Sequence, residues 1–64
     1  MTTYRDATLE EAVQMVLTRS RSSVQSAKSY YEANQEMDVV EKIDKARKLA
    51  QIKRIEYKLK EREQ

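Results

Sequence analysis

Neither glycine nor proline occurs in this chain of 64 residues, so the two residue types that most often end helices and build tight turns are missing. The apolar residues recur at alternating spacings of four and three, which is the period of an amphipathic helix. Helices are therefore predicted over most of the chain. High charge and low mean hydropathy also fit a disordered chain, but the periodicity and a net charge of only +2 favour folding.

Two helix starts carry a capping box, in which a side chain accepts a hydrogen bond from the first turn and a glutamate three residues later reciprocates. Thr8 with Glu11 is the first, and Asp38 with Glu41 is the second. The apolar repeat changes phase around ANQEMD, at 33–38, just where the second start begins. We therefore predict that the helix is interrupted there.

The predicted fold is all-α: a single domain over 1–64 formed by an antiparallel two-helix hairpin. Its helices lie near 8–34 and 38–63, and residues 1–7 form a flexible N-terminal arm. The alternative is one continuous helix of roughly 85 Å in an extended coiled coil, because no glycine or proline enforces a turn.

One face of each predicted helix carries small or apolar side chains, and these two faces are expected to pack together as a seam. Within it, Ser20, Ser23 and Ala27 form a narrow waist where the other helix approaches closely. The serine-rich stretch SRSSVQSAKSYY, at 20–31, is thus interpreted as the thin middle of a helix. The complete seam consists of Leu9, Val13, Val16, Ser20, Ser23, Ala27, Tyr31, Val39, Ile43, Ala46, Ala50 and Tyr57.

A second apolar stripe lies on the other side of the second helix and consists of Leu49, Ile52, Ile55 and Leu59. Exposed stripes of this kind mark contacts with another chain. A chain this short has little core, and without cysteine or histidine it lacks disulfides and the usual zinc ligands. We expect it to complete a four-helix bundle, either as a homodimer or by docking on a different protein.

Charge is unevenly distributed, since residues 42–64 carry nine basic side chains against four acidic ones. A basic helix can neutralise nucleic-acid phosphates, and the predicted contacts are Lys48, Arg54, Lys58 and Arg62. The cations are spread around the helix, however, and Tyr57, the aromatic residue among them, is assigned to the core. A solvated helix face is therefore the favoured interpretation, and RSRSS at 19–23 is assigned to the helix instead of to an RNA contact or phosphorylation site.

Without histidine, cysteine or a glycine-rich loop, we expect no catalytic activity, no cofactor and no metal site. No apolar run approaches the roughly 20 residues of a membrane span, and the N-terminus lacks the apolar region of a secretory signal, so a cytoplasmic location is expected. The expected function is a protein–protein interaction module: an adaptor, regulator or chaperone-like subunit. The alternative is a small dimeric DNA- or RNA-binding regulator that uses the basic second helix.

Overall fold

The structure is a computed structural model that describes residues 3–63, with side chains described over 3–61. This part of the chain is helical and comprises α1 (Leu9–Thr18), α2 (Arg21–Ala33) and α3 (Met37–Glu63). The predicted all-α class is confirmed. The single helix predicted over 8–34 is instead two helices, which differ in direction.

Helix α1 begins at the predicted capping box. Thr8 Oγ1 accepts a hydrogen bond from the Glu11 N–H at 3.2 Å, and the Glu11 carboxylate accepts one from the Thr8 N–H at 3.2 Å. Two N–H groups that the helix itself leaves without partners are thereby satisfied. The prediction for this helix start is confirmed.

The chain breaks between α1 and α2 at Arg19 and Ser20, whose backbones are extended with ψ of 158° and 157°. The Ser20 side chain accepts a hydrogen bond from the Ser23 N–H at 3.2 Å and so caps α2. Serine is favoured at this position because its hydroxyl can form a hydrogen bond with nearby backbone groups. The same ability makes serine less favourable inside a helix. Both serines are exposed, which differs from the predicted close-approach waist. The serine-rich stretch begins a helix instead of forming the middle of one.

The second break, at residues 34–36, lies where the phase change predicts it. Gln35 adopts a left-handed conformation with φ of 59°, and the Glu36 N–H donates to the Tyr31 carbonyl at 2.9 Å to close the end of α2. A non-glycine residue in this conformation costs about 1 kcal/mol. Helix α3 then starts at Met37, so Asp38 lies in its first turn and is not the cap that the sequence predicts.

Helix α1 runs parallel to α3. Near the start of α1, the Ala7 carbonyl accepts a hydrogen bond from Lys42 Nζ at 2.8 Å. Near its end, the Val16 carbonyl accepts one from Arg54 at 3.4 Å. The start of α1 thus lies beside the earlier part of α3 and its end lies beside the later part, so the two helices point in the same direction.

Helix α2 returns antiparallel to α3. The Lys28 ammonium lies 3.1 Å from the Asp44 carboxylate, and Arg47 donates to the Gln25 side-chain oxygen at 3.3 Å. Lys28 follows Gln25 on α2, but its partner Asp44 precedes Arg47 on α3, so the two helices run in opposite directions. The chain thus runs up, down and up again, with both short helices packed along α3. This is a three-helix arrangement in place of the predicted two-helix hairpin.

Small side chains set the close packing of α3. Ala46 and Ala50 are fully buried, as is Ile43 between them and the start of the helix. The core consists of Tyr4, Ala7, Ala12, Val13, Val16, Val24, Tyr31, Val39, Val40, Ile43, Ala46 and Ala50.

Seven of the predicted seam residues lie in this core, and Ala27 is partly buried against it. Four others are exposed: Leu9, Ser20, Ser23 and Tyr57. The serines are exposed because the break reorients the chain. Tyr57 is exposed because no other helix extends beside that part of α3.

The segment predicted as a flexible arm packs against the helices over its described residues, 3–7. Tyr4 is only 2% exposed, and Lys42 Nζ donates to the carbonyls of Tyr4, Arg5 and Ala7. Arg5 also donates twice to the Glu36 carboxylate, at 2.7 and 2.6 Å. These hydrogen bonds lower the pKa of Glu36 and raise the pKa of Arg5.

The far end of α3 extends beyond the other two helices. Ala50 is buried, but every residue from 51 to 61 is exposed, because α1 ends at Thr18. We call residues 51–61 the overhang; it is about 16 Å long.

Candidate nucleic-acid interface

A cleft of about 520 Å³ lies between the α1–α2 break and the middle of α3. Val16, Val24 and Ile55 contribute apolar surface, and Gln51 contributes an amide. We call it the cationic cleft, because its other lining residues are Arg19, Arg21, Arg47, Lys48, Arg54 and Lys58. Not one carboxylate is among the described residues that line it.

Helix geometry and the chain break together assemble the cleft. On α3, Arg47, Arg54 and Lys58 follow the spacing that places side chains on one side of a helix. Arg19 and Arg21 come from the opposite wall, on either side of the cap residue Ser20. Four of the described α3 cations therefore line the cleft together with Arg19 and Arg21, whereas Lys42, Lys45, Lys53 and Lys60 lie outside it.

Some basic residues outside the cleft are paired with acids. Lys28 lies 3.1 Å from Asp44, and Lys45 lies 3.6 Å from Glu41. No comparable ion pair with any described residue forms at the cleft cations. Among the described residues, no carboxylate within ion-pairing distance offsets these six charges, so the local potential at the cleft is positive.

Neutral acceptors position two of the arginines. Arg47 donates to the Gln25 side chain at 3.3 Å, and Arg54 donates to the Val16 carbonyl at 3.4 Å. Each guanidinium has five N–H donors, so most donors are left for a ligand. Arginine binds phosphate oxygens in pairs, a geometry that lysine lacks.

The N-terminus of α2 adds to the positive potential. The helix begins after Ser20 and has no acidic residue in its first turn, so its dipole is not offset there. The neighbouring Arg19 guanidinium lies 5.3 Å from the centre of the buried Tyr4 ring, a cation–π contact that holds it beside the break.

Lys48, Arg54 and Lys58, three of the four predicted nucleic-acid contacts, line this cleft. The fourth, Arg62, has a side chain outside the described residues. Arg19, Arg21 and Arg47 were not predicted. The sequence signal for the first two is RSRSS, in which a serine with capping potential stands between two arginines.

Most of the predicted partner interface lies on the side of α3 opposite its buried residues. Ile52, Ile55 and Leu59 are about 140° to 200° around the helix from the buried Ala50, with Leu49 nearer to it. The side chains of these four apolar residues are 39% to 54% exposed. Ile55 also lies at the edge of the cationic cleft.

A smaller groove of about 380 Å³ adjoins the cleft at the start of the overhang. It is lined by Leu17, Lys53, Arg54, Tyr57 and Lys58, and we call it the tyrosine groove. Tyr57, which the seam prediction assigned to the core, is 67% exposed.

No protein-family model matches the chain, and no curated protein or solved structure matches it. None of the helices in the described part of the chain is long and apolar enough to cross a bilayer. The same residues hold no cluster of three or more acidic, histidine or cysteine side chains suited to a metal ion. The chemistry of the cleft is thus the basis for a functional proposal.

Proposed function

We propose that the protein binds nucleic acid by holding phosphates in the cationic cleft. The observation that carries this proposal is the convergence of six cations from three chain segments on a cleft without a carboxylate among its described lining residues. Two considerations had favoured a protein–protein module instead: cations dispersed around the helix, and Tyr57 in the core. In the structure four α3 cations and two arginines of the break line one cleft, and Tyr57 is exposed.

Binding of this kind depends mainly on charge. Arginine and lysine replace the counterions around phosphates, and the release of those counterions drives association. Contacts to the phosphate backbone carry no direct sequence information. We therefore expect weak sequence preference and affinity that falls steeply as salt rises.

The test compares two variants that lose equal charge. The cleft variant, Arg21→Gln with Lys48→Gln, removes two lining cations, whereas Lys45→Gln with Lys60→Gln removes two cations outside the cleft. Fluorescence anisotropy with a labelled oligonucleotide, measured over a range of salt, gives the slope of log K against log salt. The slope for the cleft variant should be shallower by about 1.4 to 1.8, since each lost phosphate contact contributes about 0.7 to 0.9.

Equal losses in the two variants would show that overall charge matters and the cleft does not. Undetectable binding by the unmodified protein at low salt would contradict the proposal outright. Polyglutamate serves as the competitor for an acidic protein ligand. Displacement of the oligonucleotide at a comparable concentration of negative charge would favour an acidic protein segment over nucleic acid.

We also propose that a second copy of the chain covers the stripe of Leu49, Ile52, Ile55 and Leu59. Half-exposed apolar residues aligned on one side of α3 support this association, which would pair two α3 helices and give the core of a helical bundle. A different protein docked on the stripe is the alternative.

Sedimentation velocity over the micromolar range tests the self-association. The unmodified protein should show concentration-dependent dimers, and Ile52→Glu with Leu59→Glu should remain monomeric. Met37→Glu is the control, because Met37 is also exposed but lies at the start of α3, about three turns before Leu49. A folded monomer at every concentration would contradict the dimer and leave the cleft proposal untouched.

A further inference from the structure

Among the described residues, Tyr57 is the most exposed of the large hydrophobic ones, at 67%. It lies on the overhang, beside Leu17, just where α1 ends and no longer covers α3. A single exposed tyrosine is ordinary on a protein surface. Its position next to the cationic cleft is the informative feature.

Arg54 and Lys58 line both the cationic cleft and the tyrosine groove. They are four residues apart on α3 and so stand one above the other on the helix surface. Long basic side chains pack their aliphatic stems on apolar surface while their charged ends remain in water. A cationic wall and an exposed aromatic ring therefore adjoin along a single helical turn.

A nucleotide combines the same two parts, an anionic phosphate and a flat base. Proteins that bind single strands pair a positively charged groove for the backbone with aromatic side chains on which bases stack. We infer that the protein binds single-stranded nucleic acid, with a base stacked on Tyr57 and the adjoining phosphates in the cationic cleft. This inference rests on the proposed function and specifies its ligand.

Stacking on Tyr57 requires that the bases of the bound nucleic acid be unpaired. In a duplex, the faces of internal bases are covered by their neighbours, so an exposed side chain on the protein surface cannot stack on them. Tyr57 therefore contributes to binding only when bases are unpaired. We expect higher affinity for a single strand than for the duplex of the same sequence and length.

The test uses Tyr57→Ala and measures anisotropy with a labelled single strand and with its duplex. Single-strand affinity should fall roughly 5- to 150-fold, the usual range for the loss of one stacked base. Duplex affinity should stay unchanged, because the cleft is intact. Tyr57→Phe should bind like the unmodified protein, since it keeps the ring.

Tyr30→Ala is the matched control. Tyr30 is also exposed, at 58%, but lies near the end of α2 that is distant from the cleft, with its ring edge-on to Tyr31. Its loss should leave both affinities unchanged. Circular dichroism at 222 nm verifies that each variant is folded.

A second readout reports stacking directly. The chain contains no tryptophan, so Tyr57→Trp places one tryptophan at the proposed base site, and its emission can be excited apart from that of the three remaining tyrosines. Its emission should be quenched by a single strand and not by a duplex.

The outcomes separate the two proposals. If the unmodified protein binds, the cleft variant does not, and Tyr57→Ala binds a single strand as well as the unmodified protein, then stacking is refuted and the cleft proposal stands. Equal affinity for single strand and duplex likewise overturns the inference. If the unmodified protein binds neither, both proposals fail.

Discussion

Lys42→Met should strongly destabilise the fold, because this lysine anchors the N-terminal segment. Its ammonium donates to the carbonyls of Tyr4, Arg5 and Ala7 at 2.9, 3.1 and 2.8 Å, which uses all three of its N–H donors. Two of these hydrogen bonds are partly buried, and the one to Arg5 is exposed. Methionine keeps the apolar stem and removes the donors.

The expected loss follows from the hydrogen bonds. A bond from a charged donor contributes about 1.5 kcal/mol at the low end, so the two partly buried ones give about 3 kcal/mol. If the segment also detaches, the burial of Tyr4 is lost, worth at most about 4 to 6 kcal/mol for its 150 to 250 Å². A chain of this length has a total stability of only about 3 to 10 kcal/mol, so this one change removes a large share of it.

Urea denaturation followed at 222 nm measures the loss, with Lys45→Met as the control. Lys45 lies on the same helix but is exposed, and it meets Glu41 at 3.6 Å, an ion pair that contributes only about 0.3 to 0.5 kcal/mol. If the two variants have the same free energy of unfolding, the Lys42 hydrogen bonds do not hold the segment. The packed N-terminus would then need another explanation.

Three further predictions concern the two chain breaks and the ion pair. Ser20→Ala should lower the free energy of unfolding, measured by urea titration, by about 1 kcal/mol through loss of the helix cap. Ser23→Ala is the control and should change this free energy little, because Ser23 contributes only its backbone N–H to the cap. Gln35→Gly should raise the thermal midpoint by a few degrees, because the relief of about 1 kcal/mol or more of left-handed strain exceeds the added freedom of the unfolded chain; a lower midpoint would contradict this. Because hydrogen bonds from Arg5 lower the pKa of Glu36, their stabilising effect is complete at neutral pH and lost as pH falls through that lowered pKa. Thermal midpoints measured from neutral to acid pH should therefore fall less for Glu36→Gln than for the unmodified protein.

Local signals made part of the fold predictable from the sequence. The cap at Thr8 depends on residues within one turn, and the break at 34–36 appears as a phase change in the apolar repeat. The break between α1 and α2 at Ser20 has no comparable signal in the sequence. A serine there is small enough to continue a seam and is also a good cap, and only the extended backbone of Arg19 and Ser20 distinguishes the two roles.

The site was harder to predict because it depends on which helix ends where. Periodicity places Tyr57 on the core side of α3, in phase with Ala50, but burial also requires a partner, and α1 stops at Thr18. Likewise, the grouping of cations depends on Arg19 and Arg21 facing α3 across the break. A helical pattern identifies which side chains share a face, and tertiary structure decides what lies opposite.

The overhang keeps its helical form with little support from other parts of the protein beyond contacts such as that of Arg54 with the Val16 carbonyl. Thirteen helical residues, 51–63, follow Ala50, and this is about the 12 to 15 that an isolated helix needs to be even marginally stable in water. Continuity with the packed part of α3 removes the nucleation cost, but the exposed turns gain little of the tertiary packing that stabilises most helices in proteins. If a single strand binds as proposed and holds Tyr57 and Lys58, it orders these turns further. Such ordering releases heat and costs entropy, so affinity for a single strand should weaken on warming well before the three-helix core melts.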